Sequence, residues 1–152
     1  MDKYKILLVD DERSEREGVS FLIEKFGYPL EIKEASNGEK AFEMMKKEHF
    51  DILFTDVKMP VMDGLELSSL VSKNFPDTLI IIFSAYSVFD FARKAMEAGV
   101  MHYLLKPVEI EEFKSCMEEA IEKIRKSRSL SQQECRKQDM AREAFLYRFC
   151  RM

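Results

Sequence analysis

Five polar side chains follow short apolar runs and could form one chemical site: Asp10, Asp11, Asp56, Ser84 and Lys106. Three carboxylates close together would repel one another, and a hard divalent cation such as Mg²⁺ would relieve that repulsion because it prefers oxygen ligands. Such a cation can also neutralise phosphoryl oxygens during transfer, while a hydroxyl and an ammonium contact the remaining oxygens. The sequence lacks a P-loop, a glycine-rich dinucleotide turn and a Ser-His-Asp order. The predicted nucleophile is therefore a carboxylate, which would form an acyl phosphate.

The scaffold must bring the ends of several strands together. Apolar runs at 6–9, 52–54, 79–83 and 103–105 are typical of strands buried on both faces of a parallel sheet, and 30–35 supplies a weaker fifth strand. Helical patterns fill the gaps, including one at 89–96 and a last, longer stripe at 113–124. This alternation predicts an open doubly wound α/β domain, in which ligands bind at the carboxyl ends of the strands.

Composition excludes several classes of protein. Of the 152 residues, 46% are hydrophobic and 34% charged, which is typical of a folded domain, and the net charge of −4 gives no general basis for binding nucleic acid. No apolar run approaches the roughly 20 residues needed to span a bilayer, so we expect no membrane contact.

The three cysteines, Cys116, Cys135 and Cys150, lack metal-ligand spacing. They are interpreted as thiols in a reducing compartment, which predicts a cytoplasmic protein.

Four segments together resemble the receiver domain of two-component response regulators. They are 8–12 (Leu-Val-Asp-Asp-Glu), 51–64 around Asp56, 84–85 (Ser-Ala) and 103–107 (Tyr-Leu-Leu-Lys-Pro). Each alone is a weak signal, but their order and spacing are specific, and the resemblance runs from Lys3 to about Lys126. It implies a flavodoxin-like doubly wound sheet of five parallel strands in the order 2-1-3-4-5, with five helices and a C-terminal helical extension.

The resemblance implies that Asp56 accepts a phosphoryl group with the help of Mg²⁺. Asp11, Asp56 and the backbone carbonyl of Lys58 would bind the metal directly. Asp10 would reach it through water. A receiver of this kind is a signalling module with self-phosphorylation and slow autodephosphorylation, and we expect no other enzymatic activity.

The remaining matched residues would contact the phosphoryl group or respond to it. Ser84, followed by Ala85, would move toward that group, and Tyr103 would act as an aromatic rotamer switch. Lys106 would contact the phosphate, and its peptide bond to Pro107 would be cis, which X-Pro bonds allow. Ser84 in place of threonine and Tyr103 in place of phenylalanine are common variants in the family.

Segment 84–96 further resembles receivers attached to AraC-type helix-turn-helix DNA-binding domains. The resemblance implies that a sensor histidine kinase phosphorylates Asp56, that phosphorylation favours a homodimer, and that the protein controls transcription. Residues 1–126 would form the receiver domain, and 127–152 a helical linker toward an output domain that is absent from these 152 residues. DNA would be bound only through that output domain.

Two other functions remain open from the residues. The chain could be an interaction module that works without phosphorylation, and Asp10-Asp11 could simply cap the helix that follows them. It could also be a phosphatase of the haloacid-dehalogenase type, although those enzymes carry Asp-x-Asp after the first strand, whereas the candidate nucleophile Asp56 follows the third.

Overall fold

The structure is a computed structural model that describes residues 3–85, 93–94, 96–107 and 109–145, with side chains described as far as residue 128. The chain divides into two compact units, residues 1–116 and 117–152. Most of the helix predicted at 89–96 lies outside the described residues, although Arg93, Lys94 and Met96 are helical.

Five strands form one parallel sheet in the order β2-β1-β3-β4-β5, which confirms the predicted topology. The strands are β1 (Tyr4–Val9), β2 (Leu30–Ala35), β3 (Ile52–Thr55), β4 (Leu79–Ser84) and β5 (His102–Leu105). Val9 pairs with Ala35 on one side and with Thr55 on the other, so β1, β2 and β3 end at the same level. The carboxyl ends of these three strands therefore lie side by side.

Four helices are described: α1 (Arg13–Lys25), α2 (Gly38–Lys47), α3 (Gly64–Asn74) and α4 (Ile110–Phe145). Local signals in the sequence account for several of their ends. The Asn37 side chain accepts a hydrogen bond from the N–H of Lys40 at the start of α2, and Asp63 accepts one from Glu66 at the start of α3. Gly27, just beyond α1, has a φ of 67°, a left-handed conformation that glycine adopts at low cost.

The central strands are buried on both faces. Ile6, Leu7, Ile52, Leu53 and Ile81 each have 0% of their surface exposed. Parallel strands covered by helices on both sides need this continuous apolar sequence, which explains why the runs lack alternation. The described part of the chain contains no helix that is both long enough and apolar enough to cross a membrane.

Candidate functional site

The polar residues that follow the strands continue the backbone hydrogen bonding of the sheet by one residue beyond each strand. The N–H of Asp10 donates to the Ala35 carbonyl at 3.2 Å, and the N–H of Asp56 donates to the Val9 carbonyl at 3.0 Å. Beside them, the N–H of Lys106 donates to the Ser84 carbonyl at 2.8 Å. The sheet itself therefore positions these residues at its carboxyl edge.

Asp10, Asp11 and Asp56 form a cluster of three carboxylates. Each can offer one oxygen, and these oxygens all lie within 4.8 Å of one another. Asp10 is buried, Asp56 is partly buried and Asp11 is exposed, so the cluster opens to solvent on one side. A hard, all-oxygen donor set with an open side suits Mg²⁺, which keeps several of its waters. The residues present fit that ion.

Lys106 places an ammonium among these carboxylates. Its Nζ lies 3.0 Å from Asp10 Oδ2, 3.5 Å from Asp56 Oδ2 and 3.6 Å from Glu15 Oε2, and only 15% of its side chain is exposed. Burial by itself lowers the pKa of Lys106, but the hydrogen bond to Asp10 and the charges of Asp56, Asp10 and Glu15 outweigh it and raise that pKa. The lysine therefore stays charged at neutral pH.

The carboxyl group of Asp56 has a pKa above its ordinary value of 3.8. Burial is the largest cause, and the negative charge of Asp10 adds to it, while Lys106 and the backbone N–H of Val57 act in the opposite direction. That N–H donates to Asp56 Oδ1 at 2.7 Å, so one carboxylate oxygen has a fixed orientation.

Ser84 and Tyr103 are brought together beside this cluster. Ser84 is fully buried at the end of β4, and half-buried Tyr103 shares a side-chain hydrogen bond with it. Burial raises the pKa of the Tyr103 hydroxyl, the bond to Ser84 opposes that rise, and the charge of Asp56 adds to it. The two residues predicted to respond to a phosphoryl group are thus in contact with each other.

Glu15 and Arg16 are site residues that the sequence reasoning missed. Glu15 approaches Lys106, and Arg16 Nη1 donates to the backbone carbonyl of Asp10 at 2.6 Å. Both lie near the start of α1. Their sequence position, about one helical turn after Asp10-Asp11, is the signal that could have identified them. The capping alternative is met in part: the N-cap of α1 is Glu12, whose own side chain makes no capping hydrogen bond, and Asp10 Oδ1 accepts from the N–H of Glu12 at 2.9 Å.

The loop between β3 and α3 returns directly against Asp56. The N–H of Gly64 donates to the Val57 carbonyl at 2.8 Å. A Cβ atom on Gly64 would lie 1.9 Å from the carbonyl oxygen of Asp56, so only glycine fits this approach. The absence of a side chain at Gly64 therefore lets the start of α3 pack directly on the backbone of Asp56.

The other predicted site residues lie around this centre. Lys58 follows in the β3–α3 loop with an exposed side chain, and the metal role predicted for it concerns its backbone carbonyl. The Lys106–Pro107 peptide bond is cis, as the resemblance implied. Ala85 and Pro107 lie with Lys106 along a groove beside α1.

Comparisons with known proteins identify the family to which this domain is similar. A family model described as the response regulator receiver domain matches residues 6–118. The transcriptional regulatory protein YesN of Bacillus subtilis is 43% identical over 125 residues, which are 81% of this chain and 34% of that protein. The chain thus spans about a third of the length of this curated relative.

Two solved structures are similar in both sequence and fold. The receiver domain of AraT, a response regulator from Geobacillus stearothermophilus, is 32% identical with a TM-score of 0.74, and the match covers 84% of this chain and 99% of that one. A two-component transcriptional regulator AraC from Clostridium phytofermentans is 29% identical with a TM-score of 0.73, with the same coverage of both chains.

Proposed function

Because the chain belongs to the response regulator receiver domain family, we propose that it accepts a phosphoryl group on Asp56 and works as a phosphorylation switch for transcription. The observation that carries this proposal is the arrangement of three carboxylates and one ammonium at the carboxyl edge of the sheet. Asp56 is central to that arrangement, because it lies near both Asp10 and Lys106.

In the proposed reaction, a carboxylate oxygen of Asp56 attacks the phosphorus of a phosphohistidine on a sensor kinase. A P–O bond to Asp56 forms, the P–N bond breaks, and the histidine nitrogen keeps the electron pair. Val57 orients the acceptor through its N–H, 2.7 Å from Oδ1. Lys106 lies where it can neutralise charge on the phosphoryl oxygens.

Asp11, Asp56 and the backbone carbonyl of Lys58 would hold Mg²⁺, with Asp10 reaching it through water. Bound there, the ion would offset the charge that spreads over the phosphoryl oxygens. Lys106 balances part of the charge of these carboxylates, since its ammonium lies 3.0 Å from Asp10 and 3.5 Å from Asp56.

The new phosphoryl group would bring a charge of about −2 and strong acceptor oxygens. Ser84 and Lys106 would follow it, and the Ser84–Tyr103 hydrogen bond would have to break or rearrange. Loss of that hydrogen bond would release the Tyr103 side chain, which could then change position. A shift of this kind changes the balance between two conformations, because the phosphoryl group binds them with different affinity.

The output of the switch belongs to a longer protein. Residues 1–126 would form the receiver, and 127–152 a helical linker to a DNA-binding domain. Relatives named as transcriptional regulatory proteins, of which this chain covers a fraction, support that proposal. Phosphorylation would favour a homodimer, and through it the output domain would bind DNA.

Incubation with a small phosphodonor and Mg²⁺, followed by mass spectrometry of the intact protein, tests this function. We expect the natural chain to gain the mass of one phosphoryl group and the Asp56→Asn variant to gain none. Asp77→Asn, which alters an exposed aspartate just before β4, is the matched control and should be labelled normally. Undiminished labelling of Asp56→Asn would refute the proposal.

A further inference from the structure

Arg16 connects Asp10, which directly follows β1, to the neighbouring strand β2. Its Nη1 donates to the Asp10 carbonyl at 2.6 Å, and its Nε donates to Glu34 Oε1 at 2.9 Å. Glu34 belongs to β2. Only 14% of the Arg16 side chain is exposed, compared with 41% for Glu34. The planar guanidinium is therefore held from two directions, which a flexible ammonium could not reproduce.

The carbonyl that Arg16 binds belongs to the peptide unit between Asp10 and Asp11. Because a peptide unit is planar, fixing its oxygen also fixes the direction in which the chain enters Asp11. Asp10 has further support, since its Oδ1 accepts from the N–H of Glu12 at 2.9 Å and its Oδ2 from Lys106 at 3.0 Å. Asp11 is exposed, so the placement of its carboxylate depends mainly on the backbone that Arg16 holds.

We propose that Arg16 is a positioning residue for the metal-binding carboxylates and that Glu34 holds its guanidinium in place. This inference rests on the proposed function, because it assumes that the carboxylate cluster binds Mg²⁺. Arg16 acts through the peptide unit between Asp10 and Asp11, and it needs no contact with the metal or the phosphoryl group. The arrangement corresponds to an outer layer of hydrogen bonds that orients metal ligands.

When Arg16 is replaced by a neutral residue, the loss of its charge and the loss of its positioning contact should change the Mg²⁺ affinity in opposite directions. Removing a positive charge beside an acidic site should by Coulomb's law strengthen the binding of a cation. Removing a positioning contact should weaken it, because the two aspartates no longer keep one geometry. The sign of the change in affinity therefore distinguishes the two effects.

Isothermal titration calorimetry with Mg²⁺ measures that sign. We expect Arg16→Gln to raise the dissociation constant roughly tenfold, the low end of the range for residues that orient metal ligands. Glu34→Gln should raise it by less, since Arg16 keeps its bond to Asp10. Arg13→Gln is the matched control, because Arg13 lies on the same helix with 83% of its side chain exposed and pairs only with Glu17 among the described ion pairs. Its affinity should match that of the natural protein.

A second measurement separates positioning from general damage to the fold. At saturating Mg²⁺ the self-phosphorylation rate of Arg16→Gln should approach that of the natural protein, while the Mg²⁺ concentration at half-maximal rate rises. If Arg16→Gln does not fold, Arg16→Lys carries the test, because lysine keeps the charge but cannot donate in two fixed directions, and it should bind Mg²⁺ more weakly.

Unchanged or tighter Mg²⁺ binding by folded Arg16→Gln and Arg16→Lys would overturn the positioning role and leave the proposed function intact. Absence of Mg²⁺ binding by the natural protein would instead overturn the proposed function itself.

Discussion

At the scale of single residues, Asp56 lies in a site that disfavours its charged form while no cation is bound. Burial and the charge of Asp10 raise its pKa above 3.8, despite Lys106. Between 3.8 and that higher value the folded protein binds more protons than the unfolded chain, so its stability falls as the pH rises. Above the folded pKa the whole penalty is present, including at neutral pH.

Asp56→Asn should therefore stabilise the metal-free protein at pH 7, because the amide carries no charge. We expect a gain in the free energy of unfolding on the order of 1 kcal/mol, the usual scale of a single-site change. Chemical denaturation in the presence of a chelator measures it. The gain should vanish below pH 3.8, where the carboxyl group is protonated in both states. Equal or lower stability at pH 7 would contradict the raised pKa, and Asp77→Asn serves as the surface control.

Lys106 competes with a divalent cation for the same carboxylates, since its ammonium lies 3.0 Å from Asp10 and 3.5 Å from Asp56. Lys106→Met should strengthen Mg²⁺ binding by roughly tenfold, because a like charge at a few ångströms disfavours the metal by more than 1 kcal/mol at an effective dielectric constant near 20. The same substitution should slow phosphorylation, since no ammonium remains to contact the phosphoryl oxygens. Calorimetry and labelling with a phosphodonor measure the two effects.

The matched control for Lys106→Met is Lys46→Met, which removes an exposed lysine of α2 that pairs with Glu43. It should alter neither quantity. Weaker Mg²⁺ binding by Lys106→Met would mean that the lysine organises the carboxylates more than it repels the cation.

At the scale of elements, the position of α3 depends on one glycine. A Cβ atom at Gly64 would lie 1.9 Å from the Asp56 carbonyl oxygen, so Gly64→Ala must push α3 away from the backbone of Asp56. We expect a loss of about 1–3 kcal/mol in stability, typical of overpacking, together with weaker Mg²⁺ binding. Thermal unfolding and calorimetry measure both.

Gly18→Ala in α1 is the opposite case. No atom lies within 4 Å of the Cβ position there, so alanine should stabilise the helix by about 0.5–1 kcal/mol. A similar loss of stability in both variants would show that the close approach at Gly64 is not the cause.

The elements themselves were largely predictable from the sequence. Short runs such as 6–9 and 52–54 end at acids, and the ends of parallel strands meet at one edge, so the order of the polar residues already predicted their cluster. The start of α2 also follows from a local signal, because the Asn37 side chain accepts from the N–H of Lys40, and asparagine is favoured at this position before a helix.

What could not be predicted depends on contacts between residues far apart in the sequence. The bond between Arg16 and Glu34 joins α1 to β2, and no periodicity indicates which exposed charges will meet. The contact of Gly64 with the Asp56 backbone depends on how closely α3 approaches β3, which the spacing of residues does not fix.

At the scale of the whole molecule, the proposed switch would require two conformations that differ in free energy by only about a few kcal/mol. Phosphorylation would change the populations of these two conformations. The size of the change is limited by how differently the phosphoryl group interacts with each of them. In the proposed switch, the Ser84–Tyr103 hydrogen bond would stabilise the unmodified conformation, and its loss would lower the free energy that phosphorylation must supply. Tyr103→Phe should therefore raise the population of the active conformation in the absence of phosphate.

Beryllofluoride with Mg²⁺ mimics an acyl phosphate and tests the switch on the assembled protein. We expect light scattering to show the natural chain moving from the mass of one chain toward the mass of two when beryllofluoride is added. Asp56→Asn should show no change, because it lacks the carboxylate, and Tyr103→Phe should dimerise at lower protein concentration.

A chain shortened to end at Lys126 measures the contribution of residues 127–152 to dimerisation. We expect this shorter chain to dimerise more weakly. If the natural chain keeps one mass with and without beryllofluoride, a module that works without phosphorylation becomes the better explanation, since the acidic site would then have no effect on assembly.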